Sequence, residues 1–134
     1  HLITLGIGAV VSLVTDSEME RYGVVGLRRK LRDGKLQHLQ FPIEDTLPPT
    51  DLAATQLLCG RILGWLDEGT HVLVHCIGGW GRSGTIAAAL LTQRGFDPEA
   101  AIAAVRKARS PRCVESWAQE RFVHEYARAL ASLK

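Results

Sequence analysis

The stretch VLVHCIGGWGRSGTIAAALL, residues 72–91, decides the fold. An apolar run ends on Cys76, glycines and Arg82 follow, and an alanine- and leucine-rich helix starts at once. HVLVH (71–75) has the length and composition of a strand, so the loop joins a strand's carboxyl end to a helix amino terminus. Unpaired backbone N–H groups and the helix dipole converge at such a junction, where α/β proteins bind anions. Gly78, Gly79 and Gly81 can turn successive N–H groups inward around a phosphate-like oxyanion, with Ile77 and Trp80 completing the loop. Cys76 sits at the floor of that cradle, where the same groups favour a thiolate, and the planar fork of Arg82 matches two phosphate oxygens. The stretch reads as a nucleophile inside an anion cradle.

Outward from this loop, the chain of 134 residues has the size of one domain, so 1–134 is expected to be a single catalytic unit. Hydrophobic residues at 46% and charged residues at 22% are ordinary for a globular protein, and a net charge of +2 gives no reason for a nucleic-acid partner. The cysteines, Cys59, Cys76 and Cys113, are three in number and form no C-x-x-C pair, against a disulfide scaffold or a zinc ribbon and in favour of a reducing, cytoplasmic setting. HLITLGIGAVVSLV at the start is too short to span a bilayer and lacks a charged leader, so no membrane partner is expected. The chain starts with His1 and not Met, which leaves room for an edge strand upstream.

GAVVSLV (8–14) is a valine-rich run suited to a strand buried on both faces. Ser17 and Glu20 have capping-box spacing and open a short helix that Tyr22 and Gly23 end; a turn at RDGK (32–35) leads to a strand over 36–41. The proline-bounded loop PIEDTLPPT (42–50) follows. Asp51 caps a helix to Asp67 whose inner face is Ala54, Leu58, Ile62 and Leu66. Further helices are expected over 83–94, over 98–109 behind Asp97, and over 117–133 behind a capping box of Ser116 and Gln119. Strands alternating with helices predict an α/β fold, a central largely parallel sheet flanked by helices.

HCIGGWGRSGT (75–85) resembles the H-C-x5-R-[ST] signature of cysteine-dependent protein phosphatases. With FPIED (41–45) before it and DPEAAIAAVRKARSPRCVESWAQERFVHEY (97–126) after it, the chain most resembles the small dual-specificity branch, in particular the kinase-associated phosphatases of the cyclin-dependent kinase inhibitor 3 group. The resemblance implies a protein tyrosine phosphatase-like fold and hydrolysis of phosphotyrosine, with phosphoserine and phosphothreonine also open, through a cysteinyl-phosphate. It implies Cys76 as nucleophile, Arg82 and the loop 77–81 as phosphate holders, Asp45 as general acid and Ser83 as hydroxyl donor to the departing thiolate. His75 supports the cysteine and the loop in that scheme, and a merely structural role for a buried strand-end histidine stands beside it. Neither metal nor cofactor is implied; the partner is a phosphorylated protein or peptide, and the domain is expected to be monomeric.

Plainer roles stand beside these. Glu44 is the chemical alternative to Asp45, with Asp51 weaker because it has a cap to provide. Ser83 also suits a helix N-cap, Gln119 has a sufficient role in its capping box, Trp80 suits either a pocket rim or a core anchor, and Cys59 and Cys113 suit packing. The basic run RRKLR (28–32) suits a solvated face or an acidic docking partner. GWGRSGT (79–85) has Walker-like glycines but Thr85 in place of lysine, and GIGAVV (6–11) lacks the third glycine of a dinucleotide loop. Arsenate reduction or related thiol chemistry, a non-catalytic phosphate-binding module and phosphoinositide hydrolysis are the rival functions. The loop residues Ile77 to Trp80 add no positive charge of the kind lipid-directed relatives carry.

Overall fold

A computed structural model describes residues 7–21, 36–77 and 80–133. Along the chain run β1 (Ile7–Ser12), α1 (Asp16–Arg21), β2 (Gln37–Gln40), α2 (Leu52–Asp67), β3 (His71–His75), α3 (Gly81–Gln93), α4 (Pro98–Ala108) and α5 (Trp117–Ala131). Among these residues the sheet is parallel, in the order β2-β1-β3, with Ser12 paired to both Gln40 and His75. The expected α/β architecture is therefore present.

Central β1 is buried on both faces, as its composition predicts: Ala9 and Val11 face one layer and Val10 the other, each at most 1% exposed. Ala9, Val11 and Leu13 pack with Leu58, Ile62 and Trp65 of α2 and with Ile86 of α3. Each of the valine, leucine and isoleucine side chains among them contributes about 1.5–3 kcal/mol by leaving water. A second cluster joins Ala88 of α3 to Ala101, Ile102 and Val105 of α4 and to Val123 of α5, so α3 lies at the centre of the helical layer.

Asp51, Asp97 and Ser116 cap their helices as expected, and the Ser116/Gln119 capping box is complete. Three local readings are corrected. The box at α1 is formed by Thr15 and Glu18, not by Ser17 and Glu20: Thr15 Oγ1 accepts from Glu18 N, and Glu18 Oε1 accepts from Thr15 N. On α2, Trp65 is buried and Leu66 is 47% exposed, a face turned by one residue from the expected one. Helix α3 begins at Gly81 after Trp80, so Ser83 lies inside its first turn and is not its N-cap. The stop at Tyr22–Gly23, the turn at 32–35, the basic run 28–32 and Gly78 and Gly79 lie outside the described residues.

Parallel strands send their carboxyl ends to one edge of the sheet, where α/β proteins place their sites. Pairing continues past the strand ends through Leu13 N to His75 O (3.0 Å), Phe41 N to Ser12 O (2.8 Å) and Ile43 N to Leu13 O (3.0 Å). The segments after β1, β2 and β3 are thereby brought side by side. They carry Glu18, Asp45 and Cys76, respectively.

Candidate active site

Cys76 directly follows β3, with its Sγ 3.6 Å from Ser83 Oγ. Their contact follows from the early helix start, because the first turn of α3 folds back over the end of the strand. His75, the last residue of β3, is half-buried; burial first, and the charge of His38 second, hold its pKa below the usual imidazole value. It therefore stays neutral behind the cysteine at neutral pH.

Arg82 is 1% exposed, a depth a guanidinium tolerates only when its N–H groups are satisfied. Nη1 donates to Glu18 Oε1 (2.6 Å) and to the Ile43 carbonyl (2.8 Å), while Nη2 donates to Glu18 Oε2 (2.8 Å) and to the Ile77 carbonyl (3.1 Å). Burial opposes the charge, but the hydrogen bonds to Glu18 and the nearby negative charges outweigh it and raise the Arg82 pKa. All four Nη N–H groups are thus engaged, two of them by Glu18, so the Nε–Nη2 edge can face an anion only where the anion displaces the Ile77 carbonyl from Nη2. The Arg82 hydrogen bond likewise pulls the Glu18 pKa down, against the effect of burial. Sequence reasoning missed Glu18. Its signal was the overlapping T-x-x-E frame at 15–18, which a purely local reading could not rank above S-x-x-E at 17–20.

Asp45 approaches from the loop after β2, its Oδ1 3.7 Å from Arg82 Nη2, with the carboxylate 71% exposed. The same oxygen accepts from Thr46 N (2.9 Å), and Thr46 takes a left-handed φ of 67°. Glu44 forms no ion pair among the described residues. Asp51, at the far end of the loop, accepts from Ala54 N as the cap of α2.

Trp80 packs against the α3–α4–α5 cluster, and the Arg109 guanidinium lies 4.7 Å from its ring centroid, so it anchors the loop to the helical layer. Cys59 and Cys113 are buried. Burial pushes the Cys59 thiol up to about 11, although a hydrogen bond with Tyr126 works the other way, which keeps it a protonated packing residue. A cavity of about 520 Å³ between α4 and α5 is lined by Glu99, Ile102, Arg106, Glu120 and His124 among others, away from Cys76.

A cysteine at a strand end, a buried arginine in the first turn of the next helix and a carboxylate on a neighbouring loop lie together at the carboxyl edge of the sheet, on a protein tyrosine phosphatase-like fold of the small dual-specificity kind. The chain belongs to the family described as PTP-SAK, Swiss Army Knife protein, DSP-PTPase phosphatase domain, whose model matches residues 1–123. It is 29% identical over 134 residues to cyclin-dependent kinase inhibitor 3 of Homo sapiens, covering 98% of this chain and 63% of that relative's length. Among solved structures, kinase associated phosphatase with serine in place of its catalytic cysteine superposes with a TM-score of 0.89 at 27% identity, covering 96% of this chain and 73% of the other. Tk-PTP in its active form superposes with a TM-score of 0.81 at 31% identity, covering 94% of this chain and 82% of the other.

Proposed function

We propose that this domain hydrolyses phosphotyrosine in a protein or peptide, and phosphoserine or phosphothreonine as well, through a cysteinyl-phosphate on Cys76. The observation that carries the proposal is the convergence of Cys76, Ser83, Arg82 and Asp45 at the carboxyl edge of the sheet, with Cys76 and Ser83 3.6 Å apart and Asp45 3.7 Å from Arg82. The Cys76 thiolate attacks phosphorus in line while Asp45 gives its proton to the departing oxygen, so that the P–O bond breaks as the S–P bond forms. Asp45, now a carboxylate, then takes a proton from water as its oxygen attacks phosphorus and the S–P bond breaks. Ser83 donates to the returning thiolate, and phosphate leaves. Arg82 and the amides of 77–81 hold the phosphoryl charge throughout.

The proposal includes a monomeric domain working in the cytoplasm; Cys59, Cys76 and Cys113 form no disulfide among the described residues, which favours a reducing compartment. It is tested with a panel of peptides identical except for phosphotyrosine, phosphoserine or phosphothreonine, run beside a phosphoinositide and beside arsenate with a thiol reductant. Phosphate release fastest from phosphotyrosine is expected. Arsenate reduction without phosphopeptide hydrolysis, or hydrolysis of the lipid alone, contradicts the proposal.

A further inference from the structure

The amino terminus of α5 does more than cap itself. Ser116 Oγ accepts from Gln119 N (3.1 Å) and also donates to the Thr46 carbonyl (2.6 Å). Gln119, fully buried, accepts at Oε1 from Glu115 N (2.9 Å) and Ser116 N (3.1 Å) and donates from Nε2 to the Leu47 carbonyl (3.2 Å). Thr46 and Leu47 are the two residues that follow Asp45. Both of their carbonyls are thus tied to one capping box about seventy residues further along the chain.

The seat is itself held by further hydrogen bonds. Val114, a β-branched residue, is held at a left-handed φ of 57°, a conformation that persists only where its surroundings impose it. Arg106 imposes it by donating from Nε to the Cys113 carbonyl (2.9 Å) and from Nη2 to the Val114 carbonyl (2.8 Å), while Nη2 also meets Glu120 Oε1 (2.8 Å). The seat also touches the first turn of α3. A Cβ on Gly81, the residue before Arg82, would come within 2.9 Å of Gln119 Oε1 and of Glu115 Cβ. One on Gly84 would come within 2.9 Å of Val114 N and Cys113 Cβ.

We infer that Ser116 and Gln119 are positioning residues for proton transfer: their side chains hold the two carbonyls after Asp45 and set the acid's distance from the Cys76–Arg82 loop, against which the same glutamine is packed. The inference deepens the proposed function and rests on Asp45 as the acid. A carboxylate that is 71% exposed has no burial of its own to fix it, and its hydrogen bond from Thr46 N ties it to the same backbone that Ser116 and Gln119 hold. General acid catalysis depends on placement within hydrogen-bond reach of the leaving oxygen, so loosening the seat slows only the substrates that need the proton.

Substitution at Ser116 separates this role from capping. Ser116→Gly removes the hydroxyl that donates to Thr46, yet glycine is only a few tenths of a kcal/mol poorer as an N-cap; Ser116→Thr keeps both cap and donor. Single-turnover phosphorylation of the cysteine is measured with a phosphotyrosine peptide and with an aryl phosphate whose phenol is already acidic. Ser116→Gly is expected to slow the peptide roughly tenfold and the activated aryl phosphate less than about twofold, with Ser116→Thr near wild type. In an Asp45→Asn background, Ser116→Gly is expected to add no further loss. Equal slowing of both substrates by Ser116→Gly, an unchanged peptide rate, or a full additional loss in the Asp45→Asn background overturns the positioning role while leaving the proposed acid intact. Failure of Asp45→Asn itself to discriminate between the substrates overturns the acid, and the positioning role with it.

Discussion

Glu18 and Arg82 meet end-on, with Oε1 2.6 Å from Nη1 and Oε2 2.8 Å from Nη2, and so fix the plane of the guanidinium beside Cys76. Glu18 reaches this position because its own helix is capped by Thr15, whose backbone N–H donates to the same carboxylate. Glu18→Gln keeps an acceptor for that cap and for one arm of the fork but removes the countercharge from a nearly buried cation. We expect a stability loss of about 2 kcal/mol in urea unfolding and a kcat/KM reduced roughly tenfold or more. Wild-type kcat/KM in Glu18→Gln would show that the pair does not orient Arg82 for catalysis.

Arg82→Lys should be more damaging than its retained charge suggests. A point ammonium cannot serve Glu18, the Ile43 and Ile77 carbonyls and an incoming phosphoryl group together. Turnover should fall by roughly 10²-fold or more, with the affinity for a phosphate analogue weakened in parallel, as measured by steady-state kinetics and calorimetric titration. Unchanged kcat/KM would remove the anion cradle from the account.

Acidification should destabilise the fold in two stages. His75 is held below its unfolded pKa by burial and by His38, so its contribution is complete above about pH 6.5 and is lost as pH falls through the lowered folded value, because the unfolded chain takes up a proton that the native site resists. Glu18 is held below its unfolded pKa by Arg82; its contribution is complete above about pH 4.3 and disappears as pH falls through the folded value. Urea unfolding from about pH 7.5 down to about pH 3 should show both stages in the wild type, the first diminished in His75→Asn and the second in Glu18→Gln. Equal stability at about pH 7.5 and pH 5.5 would contradict the first assignment, and an unaltered acid limb in Glu18→Gln the second.

The caps at Asp51, Asp97 and Ser116 were legible because each is a local pattern in which spacing alone implies the bond. Where the sequence offered two local answers, a distant residue decided. Thr15/Glu18 prevailed over Ser17/Glu20 because Arg82, 64 residues away, requires the Glu18 carboxylate. Trp65 turns inward in place of Leu66 because its Nε1 finds Gln37 Oε1 at 3.2 Å across the sheet edge. The capping role of Gln119 was visible from spacing, but its bond to the Leu47 carbonyl depends on the packing of α5 against the loop after β2. Resemblance alone favours Asp45 over Glu44 in the sequence, and the 3.7 Å approach of Asp45 to Arg82 adds a physical reason for proposing it as the acid.

Asp45→Asn should slow phosphotyrosine-peptide hydrolysis roughly 10²-fold or more, whereas Glu44→Gln should change it only slightly. In single-turnover measurements the cysteine phosphorylation step should suffer less with an activated aryl phosphate than with tyrosine as leaving group. A larger loss in Glu44→Gln, or equal losses for both leaving groups in Asp45→Asn, would reassign the acid.

The most direct test of the covalent mechanism is rapid quench of the wild-type domain with excess phosphotyrosine peptide in acid, followed by mass spectrometry of the intact chain and its fragments. The account predicts one added phosphoryl group, mapped to Cys76, formed and consumed at rates that match turnover and absent in Cys76→Ser, which still binds phosphate analogues but does not turn over. Phosphate release with no adduct at any quench time, together with sustained turnover in Cys76→Ser, would contradict it.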